Sequence, residues 1–134
     1  MSADRVVPVE ERPEFVRRVV LELGHEDWFA LWEIARRVQQ LLGVQEAEAR
    51  KLAADACASL LGAGLVQMGA LPRTSEAEAI EVSGALVVLK DDGAWEQVGF
   101  PTAHEVTTTP KGDAELEGIW EKERASGRRW LHTI

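Results

Sequence analysis

The amino-acid sequence predicts one mainly helical α+β domain with a small antiparallel sheet. Apolar side chains recur at helical spacing in three N-terminal segments, and each segment ends at a glycine. Two short β-type runs, at 65–68 and 105–108, flank a long intervening stretch. Thr-Pro at 109–110 then predicts the start of a last helix, because proline is favoured at the first helical position.

Composition bounds the class of protein. The 134 residues fit a single domain over 1–134, and a hydrophobic content of 46% is too high for a disordered chain. No apolar run approaches the roughly 18 residues that cross a bilayer, and residues 1–14 lack an apolar signal-peptide core. Cys57 is the one cysteine, so no internal disulfide can form. We therefore expect a cytoplasmic protein without membrane contact.

The first two helices are predicted from their ends. Proline at 13 starts the first helix, and Gly24 is expected to close it. Asp27 is expected to cap the second helix, which runs over 28–42. Trp28 and Trp32 are four residues apart on that helix, so they share one face. Core packing is the favoured interpretation of this pair, with an interface as the alternative.

The third helix follows a very short turn and runs over 45–61, ending at Gly62. Its apolar face contains Cys57, which is expected to act as a small buried hydrophobe rather than as a reactive thiol. The run 65–68 then forms a strand.

Residues 70–104, here called the insertion, admit two interpretations. Ser75 with Glu78 fits a capping box and favours a helix. Alternatively, the run 86–89 is a strand that turns at Asp92-Gly93 into 95–98 as a hairpin. Short apolar runs do not separate these alternatives.

The insertion is acidic: residues 70–105 carry two basic and seven acidic side chains, in a chain of net charge −8.

The order helix, helix, tight turn, helix and strand at Gly64-Leu65-Val66 resembles the winged helix-turn-helix. Val106-Thr107-Thr108-Thr109-Pro110-Lys111-Gly112 before a helix looks like the end of the wing in PadR-like and MarR-like regulators. The resemblance implies that 65–68 and 105–108 pair as the two legs of one antiparallel wing. It divides the chain into 13–69 (helical core and first wing strand), 70–104 (acidic insertion) and 105–134 (second wing strand and C-terminal helix).

Two departures from that pattern disfavour nucleic-acid binding. The wing strands of those families are joined by a short loop, whereas here the acidic insertion intervenes, and phosphates repel it. In addition, Glu46 and Glu48 lie near the start of the third helix, where the resemblance implies base contacts. If DNA is bound, the residues that the sequence offers for it are Arg36, Arg37, Arg50 and Lys51.

No cofactor, metal or catalytic site is predicted, and the chain is not expected to be an enzyme. His25, His104 and His132 are far apart in sequence, and no Cys–His spacing suits zinc. His25 is interpreted as a surface loop residue. No P-loop, dinucleotide fingerprint or nucleophile elbow is present.

These observations favour a regulatory module that binds a protein partner or a second copy of itself. Tryptophan is a frequent interface anchor. The candidate contact residues are Trp95, Trp120, Trp130, Asp91 and Asp92. A DNA-binding transcriptional regulator is the first alternative. An immunity or antitoxin-like protein, which caps a basic partner by charge complementarity, is the second.

Overall fold

The fold is known from a computed structural model, which describes residues 7–70, 80–97 and 104–127. The described residues form α1 (Arg12–Glu26), β1 (Phe29–Ala30), α2 (Leu31–Leu42), α3 (Glu46–Gly62), β2 (Val66–Ala70), α4 (Val82–Leu89), β3 (His104–Thr108) and α5 (Pro110–Ser126). Short 3-10 turns occupy Val9–Glu11 and Asp92–Trp95. The predicted mainly helical architecture with a small antiparallel sheet is confirmed.

The sheet has the strand order β1-β3-β2, and both pairings are antiparallel. Val66 lies opposite Thr108 and Met68 lies opposite Val106, so the predicted pairing of 65–68 with 105–108 is confirmed. The backbone N–H of Ile80 donates to the carbonyl of Met68 at 2.7 Å. The insertion therefore returns to β2 before α4 begins.

Helix α1 is the centre of the core, where it packs against α3, β3 and α5. Its wide apolar face requires partners on several sides. The largest fully buried side chains come from α1, α2, α3, β2 and α5: Phe15, Leu31, Ile34, Leu61, Met68 and Leu116. Among the described residues, no helix is both long enough and apolar enough to cross a bilayer.

The predicted end of α1 at Gly24 is wrong, because the helix continues to Glu26. Gly24 instead permits a close approach between α1 and β3. A Cβ there would lie 3.0 Å from the backbone nitrogen of Thr108, and the Gly24 carbonyl accepts hydrogen bonds from the hydroxyls of Thr107 and Thr108.

The predicted start of the second helix at Trp28, with an Asp27 cap, is also wrong. Phe29 and Ala30 form strand β1 against β3, and α2 begins only at Leu31. The Asp27 carboxylate accepts from the backbone N–H of Trp28 at 2.7 Å. Sequence-distant pairing with β3 thus replaces the helical conformation that the apolar spacing favoured.

The third helix ends as predicted, at Gly62. Cys57 is fully buried, which confirms its core role. Desolvation raises the pKa of this thiol to about 12, so it remains protonated at neutral pH.

The insertion contains helix α4, so the hairpin interpretation is wrong for the described residues 80–97. The helix begins at Val82, whereas Ser75 and Glu78 of the predicted capping box lie outside the described residues. Ala85 and Leu89 are buried, because α4 packs against α3. That contact makes a helix the favourable state for this short apolar run.

The predicted start of α5 is confirmed. The Thr109 hydroxyl accepts from the backbone N–H of Gly112 at 3.1 Å, which caps the helix. The same hydroxyl donates to the Gly64 carbonyl at 2.7 Å, and the Thr109 backbone N–H donates to the Leu65 carbonyl at 3.0 Å. Lys111 Nζ donates to the Ala63 carbonyl at 3.0 Å. The helix start is thereby fixed to the turn between α3 and β2.

Candidate functional site

A concave site, here called the α2–α3 cavity, lies where α2, α3 and the insertion meet. Its volume is about 330 Å³. It is lined by Trp32, Ala35, Arg36, Gln39, Glu46, Arg50, Trp95, Glu96 and Gln97. The predicted candidates Arg36, Arg50 and Trp95 are thus brought together, although they are distant in sequence.

Trp32 is half-buried in this cavity, and this corrects the favoured core interpretation of the Trp28–Trp32 pair. Trp28 is also half-buried. The buried face of α2 contains Leu31, Ile34, Ala35 and Val38. The Arg36 guanidinium lies over the Trp32 ring, 5.3 Å from its centroid, within cation–π range.

The insertion forms one wall of the α2–α3 cavity through polar contacts. Arg50 Nη2 donates to the carbonyl of Asp92 at 3.1 Å and to its carboxylate at 3.2 Å. Arg36 Nη2 donates to Gln97 Oε1 at 3.4 Å. The Asp92 side chain is 96% exposed, so its ion pair with Arg50 contributes little to stability.

Apolar anchors hold the insertion more strongly than these pairs. Trp95 is buried, with 6% of its surface exposed, and its indole N–H donates to the Leu89 carbonyl at 3.0 Å. Asp91 accepts from the backbone N–H of Gly93 at 3.0 Å, which caps the following turn. Trp95 therefore packs inside the protein, whereas Asp91 and Asp92 are exposed. The predicted contact residue Trp130 lies outside the described residues.

The remaining residues predicted for DNA do not converge on the cavity. Lys51 pairs with Asp55 at 3.1 Å and lines a neighbouring cavity between α3 and the insertion. Arg37 is half-buried on α2. Of the four basic candidates, only Arg36 and Arg50 line the α2–α3 cavity.

A second group of polar residues joins α1 to α5. Arg18 donates from both Nη atoms to the carboxylate of Glu123, each at 2.8 Å, and lies 3.2 Å from the Glu22 carboxylate. The predicted contact residue Trp120 donates its indole N–H to Glu22 at 3.0 Å. Arg18 and Glu22 are 4% and 3% exposed. The hydrogen bond to Glu123 raises the pKa of Arg18, so the guanidinium is always charged.

Beside this network lies the α1–α5 cavity, with a volume of about 270 Å³. Its lining combines four apolar and five charged side chains: Glu14, Arg17, Arg18, Leu21, Leu60, Leu65, Glu115, Ile119 and Glu123. Sequence reasoning missed this site, because its residues come from separate elements that no local motif links.

His25 lies in the last turn of α1 rather than in a loop, and this corrects its predicted location. Its Nδ1 is 2.8 Å from Asp113, and its ring meets Trp120 edge-on. Asp113 also accepts from the Thr108 hydroxyl. The hydrogen bonds from His25 and Thr108 lower the pKa of Asp113. Together these contacts connect the end of α1 to the start of α5.

Within residues 7–70, 80–97 and 104–127, no three His, Cys, Asp or Glu side chains cluster as metal ligands.

No protein-family model, curated protein or solved structure matches the chain.

Proposed function

We propose that this protein is a non-enzymatic regulatory module of winged helix-turn-helix type, which acts by binding a protein partner at the α2–α3 cavity. The proposed fold is supported by two features. Helices α2 and α3 are joined by a tight turn at Gly43, which has a φ of 66°. Strands β2 and β3 then pair antiparallel as the two legs of a wing.

The observation that carries the proposal is the position of the insertion on α3. In a DNA-binding member of such a fold, the third helix needs a free outer face to enter the major groove. Here Leu89 and Trp95 pack beside α3, and Arg50 on that helix already pairs with Asp92. The face is therefore occupied by an acidic part of the same chain, which disfavours DNA.

The same insertion creates a surface suited to protein. The α2–α3 cavity exposes part of Trp32 beside Arg36, and Trp and Arg are the residue types most enriched at interface hot spots. The insertion exposes four acidic side chains: Glu81, Asp91, Asp92 and Glu96. Of these, Glu96 lines the cavity, and Asp92 pairs with Arg50 in its lining. By charge complementarity the partner carries a basic rim around the group that enters the cavity.

The test compares captured proteins among variants of the immobilised chain. Wild type, Trp32→Ala and Arg36→Ala are incubated with cell extract of the source organism, and captured proteins are quantified. Arg124→Glu, which changes an exposed cation of α5, is the matched control. We expect at least one protein to be captured by wild type and by the control, and to be reduced about tenfold or more by both cavity variants. If both cavity variants capture every protein in the same amount as wild type does, the proposal is overturned.

A DNA-binding regulator is the second candidate, and the convergence of Arg36 and Arg50 in one cavity favours it. Selection from random duplex DNA at low salt tests it directly, since phosphate contacts are strongest there. We expect no sequence enrichment. If a DNA sequence is enriched and Arg36→Glu abolishes the enrichment, the protein is a DNA-binding regulator and the protein-binding proposal is overturned.

The immunity or antitoxin-like role is assigned if the captured protein is a basic enzyme and the chain inhibits its activity.

A further inference from the structure

The α2–α3 cavity is not complete on the helical core alone. Side chains of α2 and α3 form one of its walls, and the insertion forms the other with Trp95, Glu96 and Gln97. No residue of the described helix α4 lines the cavity. Whatever holds the insertion against α3 therefore decides whether the cavity exists.

The polar contacts between the insertion and the helical core are too weak to hold it in place. The hydrogen bond from Arg36 to Gln97 is long, at 3.4 Å, because bonds of this type usually measure about 2.9–3.0 Å. The Asp92 side chain is 96% exposed, so water competes for its pair with Arg50. The position of the insertion must therefore depend on apolar contacts.

The apolar anchors of the insertion lie beside the cavity, on α3. Leu89 and Trp95 are both buried, and both line the neighbouring cavity of about 260 Å³ next to Ala54 of α3. The indole N–H of Trp95 donates to the Leu89 carbonyl at 3.0 Å, which joins the wall of the α2–α3 cavity to the end of α4. Displacement of Leu89 from α3 therefore moves Trp95 and the two wall residues after it.

We propose that docking of the insertion on α3 switches the partner site at the α2–α3 cavity on and off, an inference that rests on the proposed function. In the docked state the cavity has both walls and binds the partner. In the released state Trp32 and Arg36 remain on α2, but the opposite wall is lost. Binding and docking are reciprocally coupled, so release of the insertion weakens partner binding, and the bound partner raises the docked fraction.

Release of the insertion without a change in the cavity lining tests the switch. The protein that wild type captures and Trp32→Ala does not is purified, and its affinity for variants of the full chain is measured by isothermal titration calorimetry. Leu89→Ala removes an anchor, and Ala54→Arg places a long charged side chain between α3 and the insertion. Neither residue lines the α2–α3 cavity. We expect each variant to bind about tenfold or more weakly, because fewer chains are in the competent state.

Val87→Ala is the matched control, since Val87 lies on the exposed outer face of α4. It is expected to leave the affinity unchanged. Equal weakening by Val87→Ala would overturn the switch, because the partner would then contact α4 directly.

Amide hydrogen exchange supplies the second measurement. In both release variants, unchanged protection of α1 and of the β2–β3 pair shows that the rest of the fold is retained. In wild type, saturation with the purified partner should slow exchange in α4 about tenfold or more, although α4 does not line the cavity. Unchanged exchange in α4 would mean that binding and docking are not coupled, and the switch would be overturned.

The outcomes separate the switch from the proposed function. If wild type captures no protein that depends on Trp32, the proposed function is overturned and the switch with it. If Leu89→Ala and Ala54→Arg bind the purified partner as tightly as wild type does, only the switch is overturned, since α2 and α3 then suffice for binding.

Discussion

Single residues at the start of α5 hold this helix on the core. A Cβ at Gly112 would collide with the carbonyl oxygen of Leu65, which accepts the backbone N–H of Thr109. The glycine is needed because two backbone segments touch there, and not because of its φ. The Thr-Pro-Lys-Gly sequence at 109–112 thus has a physical reason. The threonine caps α5, the proline starts the helix, and the glycine leaves room for the backbone of the α3–β2 turn.

We predict that Gly112→Ala destabilises the protein by about 2–3 kcal/mol, because the methyl group must push α5 away from the α3–β2 turn. Urea denaturation measures this change as a lower midpoint with an unchanged slope. Gly118→Ala is the control on the same helix, where a Cβ meets nothing within 4 Å. It is expected to stabilise by about 0.5–1 kcal/mol, since alanine is the better helix former. Equal effects of the two substitutions would show that the close approach is unimportant.

At the scale of the elements, the sequence predicts best where a local signal and the tertiary contacts agree. Thr109 and Pro110 start α5, and Gly43 ends α2, because caps and left-handed glycines act within a few residues. Strand β1 could not be predicted, since its two residues are extended only by pairing with β3, which lies far away in sequence. Trp32 lies on α2 as predicted, but Trp28 precedes that helix, so the two do not share a helical face. Spacing also does not tell that a cavity lies beside Trp32.

Helix α4 and its neighbouring turn form an element held to α3 by a few apolar contacts. Leu89 and Trp95 are buried there, whereas Val82 and Val87 on the outer face are 44% and 69% exposed. Elements with few buried contacts open locally before the whole protein unfolds. The insertion is therefore expected to behave as a separate unit on the helical core.

We predict that Leu89→Ala opens this unit selectively. The lost side chain and the space that it leaves cost about 2–4 kcal/mol, so amide hydrogen exchange in α4 should rise about 30-fold or more. Protection in α1 and in the β2–β3 pair should stay at the wild-type level. Val87→Ala changes an exposed residue of the same helix and should alter exchange in α4 only slightly. A loss of protection spread evenly over the whole chain would contradict the idea of a separate unit.

At the scale of the whole molecule, the sequence predicts the topology more readily than the sites. The β2–β3 pairing across the insertion follows from two short β-type runs and the resemblance of their surroundings to a wing. Neither cavity could be predicted, because each is lined by residues from several elements that only the tertiary fold brings together. The contact between Arg18 and Glu123, which are 105 residues apart, is of the same kind.

That contact joins α1 to α5 and leads to the last prediction. Removing one partner of a buried ion network leaves the other charge uncompensated, which is strongly destabilising. Arg18→Met is therefore expected to cost about 3–5 kcal/mol, because Glu22 would remain buried without its cation. Adding Glu22→Gln removes that charge, while the amide oxygen can still accept from the Trp120 indole. The double variant should thus recover about 1 kcal/mol or more in urea denaturation. If the second substitution lowers stability further instead, the cost of Arg18→Met lies in lost packing and not in an unpaired buried carboxylate.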